Sequence, residues 1–395
     1  MKMRKLFISL FIMAVLLCLG SSHSHAAVSV QCPGDTDGDA QWTGSEVKPP
    51  NTECIHLTAG DGFVSMADGK VLYTFGFSDV TGVLPANVMT TGMLGANFSA
   101  PTIKVKQGDD VYLTLSNVGM AMRPDLFDPH SVHFHGFPNA APVFDGEPMA
   151  SIAINPGSSL TYYYPAPEPG TYMFHCHVEA TEHMQMGMLG NLYVTPLQDG
   201  TTVGGCSSQK YVYNDGDGST CYAVDFPIQM VAFDSIFHEL HLGIQPLPFA
   251  MMKDDYPMLN GRGYPDTINP GPLPAPAENG GKVSQKVSSL ITATAGQKIL
   301  LRISSLATVD FYTLQTLGIP MKVVGRDARI LRSSTGQNLS YSTNSVTLGG
   351  GESADVILDT AGVPTGTYFL YTTNLNNLSN GNDDFGGMMT EIVIN

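Results

Sequence analysis

Short β-rich segments limit this chain to an all-β fold. Segments rich in β-branched and aromatic residues recur along the chain and are bounded by Gly, Pro and Asn, whereas helical periodicity is scarce. Regularly spaced strands separated by turn residues are typical of β-sandwiches. The clearest segments are 101–119, 151–178, 190–197, 298–306, 311–325, 353–362 and 366–374.

The two halves of the chain echo each other. TIKVKQGDDVYLTLSN (102–117) is similar to ITATAGQKILLRISS (291–305), and PGTYMFHCH (169–177) is similar to PTGTYFLYT (364–372). The echo predicts a duplicated sandwich of about 150 residues per copy. The expected domains are 27–197 and 225–395, joined by a Gly-, Asp- and Ser-rich linker with a disulfide loop at 198–224.

The first residues predict export. Lys2, Arg4 and Lys5 precede an apolar run over 6–19, and Ser24–His25–Ala26 offers small residues for cleavage after Ala26. This pattern indicates a secretory signal peptide over 1–26. The apolar run is short for a membrane span, and no later stretch is apolar for about 18 residues. We therefore expect a periplasmic or secreted protein without a membrane span.

The charge excludes some partners. The formal net charge is −16, and without the predicted signal peptide 16 basic residues stand against 35 acidic ones. A strongly acidic chain is repelled by nucleic acid and by anionic membranes. Neither is expected as a partner.

The cysteine count leaves one thiol over. After the signal peptide, Cys32 and Cys54 are expected to pair, and so are Cys206 and Cys221, because each pair closes a short loop in an oxidising compartment. Cys176 then stands alone. A single thiol in that compartment requires protection or a function, and binding a metal as thiolate provides both.

Ligand-type side chains concentrate in HSVHFHG (130–136) and MFHCHVEATEHMQMGM (173–188). Side chains of neighbouring strand residues point to opposite faces, so Cys176 points away from its two flanking imidazoles. The alternation predicts two groups of ligands. The first consists of Cys176 and His130, with His183 and Met188 recruited from the following loop. The second consists of His133, His135, His175 and His177.

The first group favours copper. Two imidazoles, a thiolate and a weak axial thioether are typical of a blue-copper electron-transfer site, whereas zinc gains little from methionine. Met184 and Met186 are expected to be packing or loop residues, with Met188 the axial ligand. The all-imidazole group suits a copper that meets oxygen or another small substrate. Cys176 is covalently joined to His175 and His177, so an electron needs to cross only a few bonds between the groups.

These motifs, from HFHG through GTYMFHCHVEATEHMQMGM, resemble the multicopper oxidase family, which includes laccases and copper nitrite reductases. The resemblance implies two cupredoxin-like Greek-key β-sandwich domains, of which the second lacks copper motifs. It implies a type 1 copper held by His130, Cys176, His183 and Met188. It places His133 at a type 2 position and His135, His175 and His177 at type 3 positions. Asp145, in FDGEP, is expected either to deliver protons to reduced oxygen or to be an ordinary turn residue.

The ligand count departs from this family. A trinuclear cluster in the family needs eight imidazoles, and the first domain supplies four. The second half has only His238 and His241, which are more simply explained as ordinary residues of the domain junction. In two-domain relatives a neighbouring subunit supplies the remaining ligands and trimers are common, so the resemblance is compatible with a homotrimer. The alternatives are a copper site of reduced nuclearity, with acids or waters as ligands, or two sets of four imidazoles brought together by symmetry between subunits.

The predicted function is an exported copper oxidoreductase. It takes electrons from a small reductant, a metal ion or a redox protein, and reduces oxygen or a small oxyanion. A laccase-like activity is favoured over a nitrite-reductase-like one, because His133 stands where nitrite reductases carry an Asp. The alternative is a blue-copper electron carrier or copper-handling protein.

A separate acidic loop resembles a calcium site. Asp35, Asp37, Asp39 and Glu46 have the spacing of positions one, three, five and twelve of a calcium-binding loop. Ala40 occupies the position that requires Gly, so a solvated acidic loop is the competing interpretation.

Overall fold

The computed structural model describes residues 28–395, apart from residues 139, 244–245 and 382. The predicted signal peptide therefore lies outside the described residues. In the part of the chain that is described, no helix has the length and apolar character needed to cross a membrane. The domain bounds expected from the sequence stay a prediction.

The first half forms two four-stranded sheets. One has the order β2-β1-β4-β6 and the other β3-β8-β7-β5. The strands are β1 (Thr52–Ser65), β2 (Val71–Asp79), β3 (Ile103–Lys106), β4 (Asp110–Gly119), β5 (His133–His135), β6 (Ser159–Pro165), β7 (Gly170–His175) and β8 (Leu189–Thr195). The helices are α1 (Pro85–Gly92) and α2 (Ala180–Gln185), with a 3-10 turn over Pro142–Phe144.

The second half repeats this plan with larger sheets. Its strands are β9 (Val224–Phe233), β10 (Tyr256–Leu259), β11 (Ile291–Ala293), β12 (Lys298–Ser305), β13 (Tyr312–Thr316), β14 (Met321–Arg326), β15 (Arg329–Ile330), β16 (Tyr341–Thr343), β17 (Ser345–Leu348), β18 (Ser353–Asp359), β19 (Gly366–Thr372), β20 (Ser379–Asn380), β21 (Asp383–Asp384) and β22 (Met389–Ile394). Helix α3 (Ser235–His241) follows β9, and 3-10 turns lie at Phe249–Met251, Asp266–Ile268, Ala277–Asn279 and Leu375–Asn377. One sheet has the order β10-β9-β12-β18-β14-β15 with β16 on β14, another has the order β11-β22-β19-β13-β17, and β20 pairs with β21.

Strand pairing shows the duplication. β1 runs parallel to β4, as β9 runs parallel to β12. β3 runs parallel to β8, as β11 runs parallel to β22. β5 lies antiparallel to β7, and β13 lies antiparallel to β19. The second half therefore places β13 where the first half places β5.

Alternating side chains build the core of each sandwich. In β3, Ile103 and Val105 are buried whereas Lys104 and Lys106 are exposed. The same alternation along β22 buries every second side chain. Strands with this period of two bury one face and leave the other to solvent. Each half thus has its own apolar cluster.

A third apolar cluster joins the halves. Phe98 from the first half stacks on Phe233 from the second, with ring centroids 4.2 Å apart. Met173 and Leu189 belong to the same buried cluster. The two disulfides, Cys32–Cys54 and Cys206–Cys221, are those expected from the sequence, and Cys176 is the free cysteine of the described residues.

Candidate metal centre

Four buried side chains form the first candidate site. His130 lies just before β5, Cys176 follows β7, His183 is in α2, and Met188 precedes β8. The Cys176 Sγ lies 3.1 Å from His183 Nδ1 and 3.8 Å from His130 Nδ1. One ligand atom from each of these three residues lies within 4.8 Å of the others. The tertiary structure thus brings together side chains from segments that are far apart in sequence.

The backbone folds the loop that carries Met188 against Cys176. The Cys176 N–H donates to the Met188 carbonyl (3.1 Å), and the Met188 N–H donates to the His183 carbonyl (2.8 Å). Met186 is also buried, and its carbonyl accepts from Thr74 Oγ1 (2.6 Å) and from the Phe75 N–H (2.8 Å). The Met186 backbone therefore anchors the loop.

The electrostatics favour a thiolate between imidazoles. Burial raises the pKa of the Cys176 thiol, but His183 and His130 outweigh that effect and lower it to about 5. Burial lowers the pKa of His183, but the Cys176 thiolate and Asp128 outweigh it and raise that pKa well above its usual value. The Ser131 N–H also points at Sγ, at 3.4 Å. Thiolate is the form that binds metals.

This donor set fits copper. Sγ and the two Nδ1 atoms face one another, so each imidazole presents a donor to the same small volume. The outward Nε2 atoms of His130 and His183 make no hydrogen bond, although His183 Nε2 lies 3.2 Å from Asp128 Oδ1. Thiolate, two imidazoles and a neighbouring thioether suit copper.

The second group is a cluster of four imidazoles on β5 and around the end of β7. β5 pairs with β7 so that His133 lies opposite His175. The ring centroid of His133 lies 6.0 Å from that of His135, 5.3 Å from that of His175 and 4.9 Å from that of His177. The rings of His175 and His177 stack at 5.4 Å.

Backbone carbonyls orient two of these rings. His133 Nδ1 lies 2.6 Å from the Asp145 carbonyl oxygen, and His175 Nδ1 lies 2.8 Å from that of Cys176. An Nδ1–H donated to a carbonyl leaves Nε2 free to bind a metal. Burial lowers the pKa of His175 to about 3 and also lowers that of His135. Both rings are therefore neutral near pH 7, as metal binding requires.

The four rings line a cavity of about 320 Å³. Ala180, Thr181 and Met184 of α2 form part of the wall. The remaining wall comes from the second half, through Leu306, Ala307, Thr308, Gly350 and Gly351. None of these second-half residues has a side chain that commonly binds copper.

Asp145 lies at the edge of this cluster. Its Oδ1 is 3.7 Å from His133 Nδ1, and its side chain is 37% exposed. It also closes the 3-10 turn over Pro142–Phe144. Asp145 thus orients His133 through its carbonyl and remains open to solvent through its carboxylate.

Strand register identifies the second-half residues that are equivalent to the imidazoles of the first half. In the first half His133 pairs with His175, and in the second half Gln315 pairs with Tyr371. The matching segments GTYMFHCH and GTYFLYTT put Thr372 at the position of Cys176. The duplicated architecture is kept, but the side chains that could bind copper are replaced.

The other described histidines are engaged elsewhere. His56 Nε2 lies 2.8 Å from Ser116 Oγ. His238 and His241 are fully buried and contact the first half beside α2 rather than the four-imidazole cavity. They therefore do not extend the imidazole cluster.

Sequence reasoning missed the groups around these ligands. Asp128, two residues before His130, approaches His183, and Gly351 approaches His135. The only sequence signal for Asp128 was its position next to a ligand motif. Nothing local marks Gly351, because its neighbour in space is more than two hundred residues away in the chain.

The predicted calcium loop has three of its four acids together. One carboxylate oxygen from each of Asp35, Asp37 and Asp39 lies within 4.8 Å of the others. Glu46 accepts hydrogen bonds from Thr36 (2.6 Å to its N–H) and Thr43 (2.9 Å). Asp35 accepts from the backbone N–H groups of Gly38 (2.7 Å) and Ala40 (2.8 Å). The loop is explained by its own hydrogen bonds, and calcium stays a prediction.

Comparison with known families agrees with this fold. Two family models described as multicopper oxidase match residues 81–199 and 250–391, which together make up more than half of the chain. The chain belongs to the multicopper oxidase family. Multicopper oxidases as a family use copper, a reductant and oxygen.

Individual curated relatives match only parts of this chain. A multicopper oxidase, MmcO, from Mycobacterium tuberculosis is 29% identical over 140 residues, which are 34% of this chain and 25% of that protein. A copper-containing nitrite reductase from Neisseria meningitidis serogroup A is 34% identical over 97 residues, which are 24% of this chain and 22% of that protein. The matched regions thus span a quarter or less of either relative.

A solved structure resembles nearly the whole chain. The blue copper oxidase from Nitrosomonas europaea superposes with a TM-score of 0.63 at 24% identity, over 87% of this chain and 86% of that one. The likeness shows the shared fold of paired cupredoxin sandwiches.

Proposed function

We propose that this chain is an exported copper-dependent oxidoreductase with two copper sites. The first is a type 1 site with His130, Cys176, His183 and Met188 as ligands. The second is a type 2/type 3-like site with His133, His135, His175 and His177 as ligands. The donor is a small reductant, a metal ion or a redox protein, and the acceptor is oxygen or a small oxyanion.

The position of Cys176 carries this proposal. Its Sγ faces His183 and His130, whereas the rings of its covalent neighbours His175 and His177 line the cavity. One three-residue segment therefore belongs to both groups. The path between them follows covalent bonds.

Copper bound at these two sites would supply one-electron redox chemistry and would connect the donor to the acceptor. The protein side chains set its geometry and access. Ser131 supports the junction, since its N–H points at Sγ (3.4 Å) and its hydroxyl accepts from the His177 N–H (3.2 Å). These contacts hold the thiolate and one cavity imidazole in a fixed relation.

Proton supply is assigned to Asp145. Its carboxylate is open to solvent, and its carbonyl orients the nearby His133. In that position it can take a proton from water and release it toward the cavity. Oxygen reduction consumes protons as well as electrons, so a carboxyl group at the rim serves the reaction.

The number of imidazoles in the cavity affects which electron acceptor and which subunit assembly are proposed. Four imidazoles line the cavity, and no described residue of its second-half wall adds another. A homotrimer in which a neighbouring subunit completes the site is part of the proposal. Laccase-like activity is preferred to nitrite reduction because His133 occupies the position of the nitrite reductase Asp.

The described second-half wall of the cavity adds no imidazole, and this favours a second candidate function. That function is a blue-copper electron carrier or copper-handling protein. If no neighbour completes the cavity, only the buried thiolate site is loaded. Such a protein would exchange electrons without reducing oxygen.

Copper stoichiometry with the visible spectrum separates these functions. We expect an intense blue-copper band in the visible spectrum, lost in Cys176→Ser, with two or more coppers per chain and turnover of a phenolic donor with oxygen. A matched variant, His135→Ala, should keep the band and lose turnover. One copper per chain with the band but no turnover would leave the carrier, and no band would contradict both.

A further inference from the structure

Helix α3 belongs to the second half but contacts the segments that bear the proposed type 1 ligands. It supplies no ligand, and two of its residues, His238 and His241, are fully buried against the first half. We propose that α3 positions the type 1 site, and that His241 is a positioning residue that acts on α2 through Glu182. The inference rests on the proposed type 1 site.

His241 reaches α2 one residue from a ligand. Its Nε2 lies 2.7 Å from Glu182 Oε1, next to His183. The Glu182 side chain is 13% exposed, so water screens this contact only weakly. His241 Nε2 makes no hydrogen bond of good geometry, but so short an approach to a carboxylate restrains the rotation of α2 and with it the direction of the His183 ring.

His238 holds the same helix from its C-terminal end. Its Nε2 lies 2.9 Å from the Gln185 carbonyl, and its Nδ1 lies 2.6 Å from the Tyr73 carbonyl in β2. A neutral imidazole has one N–H, so the ring donates to one of these carbonyls and packs against the other, between α2 and a strand of the first sandwich. Together His238 and His241 contact α2 on both sides of His183.

Arg123 extends the contact to the segment that leads to His130. Its Nη1 donates to the carbonyls of His241 (2.6 Å) and Gly243 (2.7 Å). Asp128 lies five residues later on this segment, and its Oδ1 is 3.2 Å from His183 Nε2. α3 therefore connects the two segments whose side chains must meet at Cys176.

An aromatic ring completes the arrangement. Phe75 lies edge-on to His241, with ring centroids 4.9 Å apart, and edge-on to His183 at 5.7 Å. A displacement of His241 would thus reach His183 through packing as well as through Glu182. The second domain contributes geometry to a site for which it contributes no ligand.

The test replaces the polar contact and keeps the packing. His241→Phe retains an aromatic ring against Phe75 and removes the nitrogen that faces Glu182. Groups that support metal ligands indirectly are worth about 10- to 100-fold in metal affinity. We expect the lower end, about a tenfold weaker affinity for copper in competition with a chelator, together with a changed copper hyperfine splitting in the electron paramagnetic resonance spectrum.

Three further variants make the test specific. Glu182→Gln removes the charge from the α2 side and should shift affinity and spectrum in the same direction. His241→Gln restores a side-chain N–H and should recover part of the affinity. Glu239→Gln is the matched control, because Glu239 joins α3 to Lys70 at 2.7 Å without contacting α2, and it should leave both readouts unchanged.

The outcomes separate this inference from the proposed function. If the wild type has no blue band, the type 1 assignment fails. If the wild type has the band but His241→Phe and Glu182→Gln bind copper with unchanged affinity and spectrum, the positioning role is wrong. If Glu239→Gln weakens copper binding as much as they do, the effect is general loosening between the halves and the inference is overturned.

Discussion

Cys176 and its two neighbours, His175 and His177, are consecutive in sequence but face different candidate sites. The thiol is completely buried among imidazoles, whereas His177 borders a cavity. Because strand side chains alternate, three consecutive residues can serve two sites. A shift of one residue in this segment would exchange the two environments.

Gly351 is a residue whose small size serves the cavity. It has φ +90°, and a Cβ there would lie 2.8 Å from His135 Cε1 and 3.0 Å from Nε2. We expect Gly351→Ala to displace His135 and to lower turnover by about tenfold or more while the blue band remains, because a misplacement of about 1 Å can cost about 100-fold. Turnover with a phenolic donor and the visible spectrum measure this.

The control for that change is Gly362→Ala. Gly362 has a similar φ of +78° but open space around its Cβ position. Alanine at this position has the same backbone strain as at Gly351, but its Cβ does not collide with a neighbouring residue. Equal loss of turnover in both variants would contradict the steric explanation.

Asp254 makes stability depend on pH. Burial raises its pKa to about 6, although the Tyr312 hydroxyl donates a hydrogen bond to it at 2.9 Å. The folded chain holds this proton up to about pH 6, whereas the unfolded chain releases it near pH 4. Stability from this group is therefore present below that window and is lost as the pH rises through it.

Asp254→Asn should remove this contribution. As the pH rises from 4.5 to 7.5, we expect the free energy of unfolding of the wild type to fall by about 1 to 2 kcal/mol relative to that of the variant. Urea unfolding of both proteins at the two pH values measures the difference. A difference that does not change with pH would show that Asp254 titrates normally.

At the scale of elements, a short helix and the loop after it carry two of the four candidate ligands of the first site, His183 and Met188. α2 has only six residues, so its own hydrogen bonds stabilise it weakly. Its position depends on β2, through Thr74 and Phe75, and on α3. The site is therefore as rigid as these tertiary contacts make it.

Gly187 allows this loop to turn toward Met188. It has φ +110°, and a Cβ would lie 2.7 Å from Thr74 Oγ1 and 2.9 Å from the Phe75 carbonyl oxygen. We expect Gly187→Ala to cost about 1–3 kcal/mol from backbone strain and to alter the type 1 spectrum. Thermal unfolding and electron paramagnetic resonance measure the two effects.

Gly200→Ala serves as the comparison for Gly187→Ala. Gly200 has φ +82° with open space around its Cβ position, far from the loop. It should lower stability without changing the spectrum. An unchanged spectrum in Gly187→Ala would mean that the loop does not hold the axial ligand.

At the scale of the whole molecule, a buried arginine ties the halves together. Arg302 of β12 is fully buried, and its guanidinium lies 4.5 Å from the ring centroid of Tyr193 in β8. Its Nε lies 3.2 Å from Asp225 Oδ2, and its Nη1 lies 3.7 Å from Asp355 Oδ1. Thr171 of β7 donates to Asp355 at 2.6 Å, so both halves share this network.

Arg302→Met should therefore destabilise the chain strongly. Loss of one partner leaves the other charges buried without compensation, which costs about 3–5 kcal/mol. Urea unfolding of the variant measures this. The double variant Arg302→Met with Asp355→Asn should recover part of the loss, and a cost below about 1 kcal/mol for the single change would show that the network is not needed.

Much of this architecture was predictable from local sequence. Turn residues and alternating apolar residues predict the two sandwiches, because strand geometry imposes a period of two. The disulfide pairs and the grouping of candidate ligands followed from spacing and alternation. The comparison with known families confirmed the family and the fold.

Other features depended on contacts between distant segments. Spacing could not show that His238 and His241 lie against α2, that Gly351 touches His135, or that Arg302 joins the halves, because each contact spans from about fifty to more than two hundred positions of the chain. Strand alternation is a property of each segment and can be read locally. The closure of the cavity and the support of the ligands arise only when the two sandwiches pack, since packing brings together side chains that the chain keeps far apart.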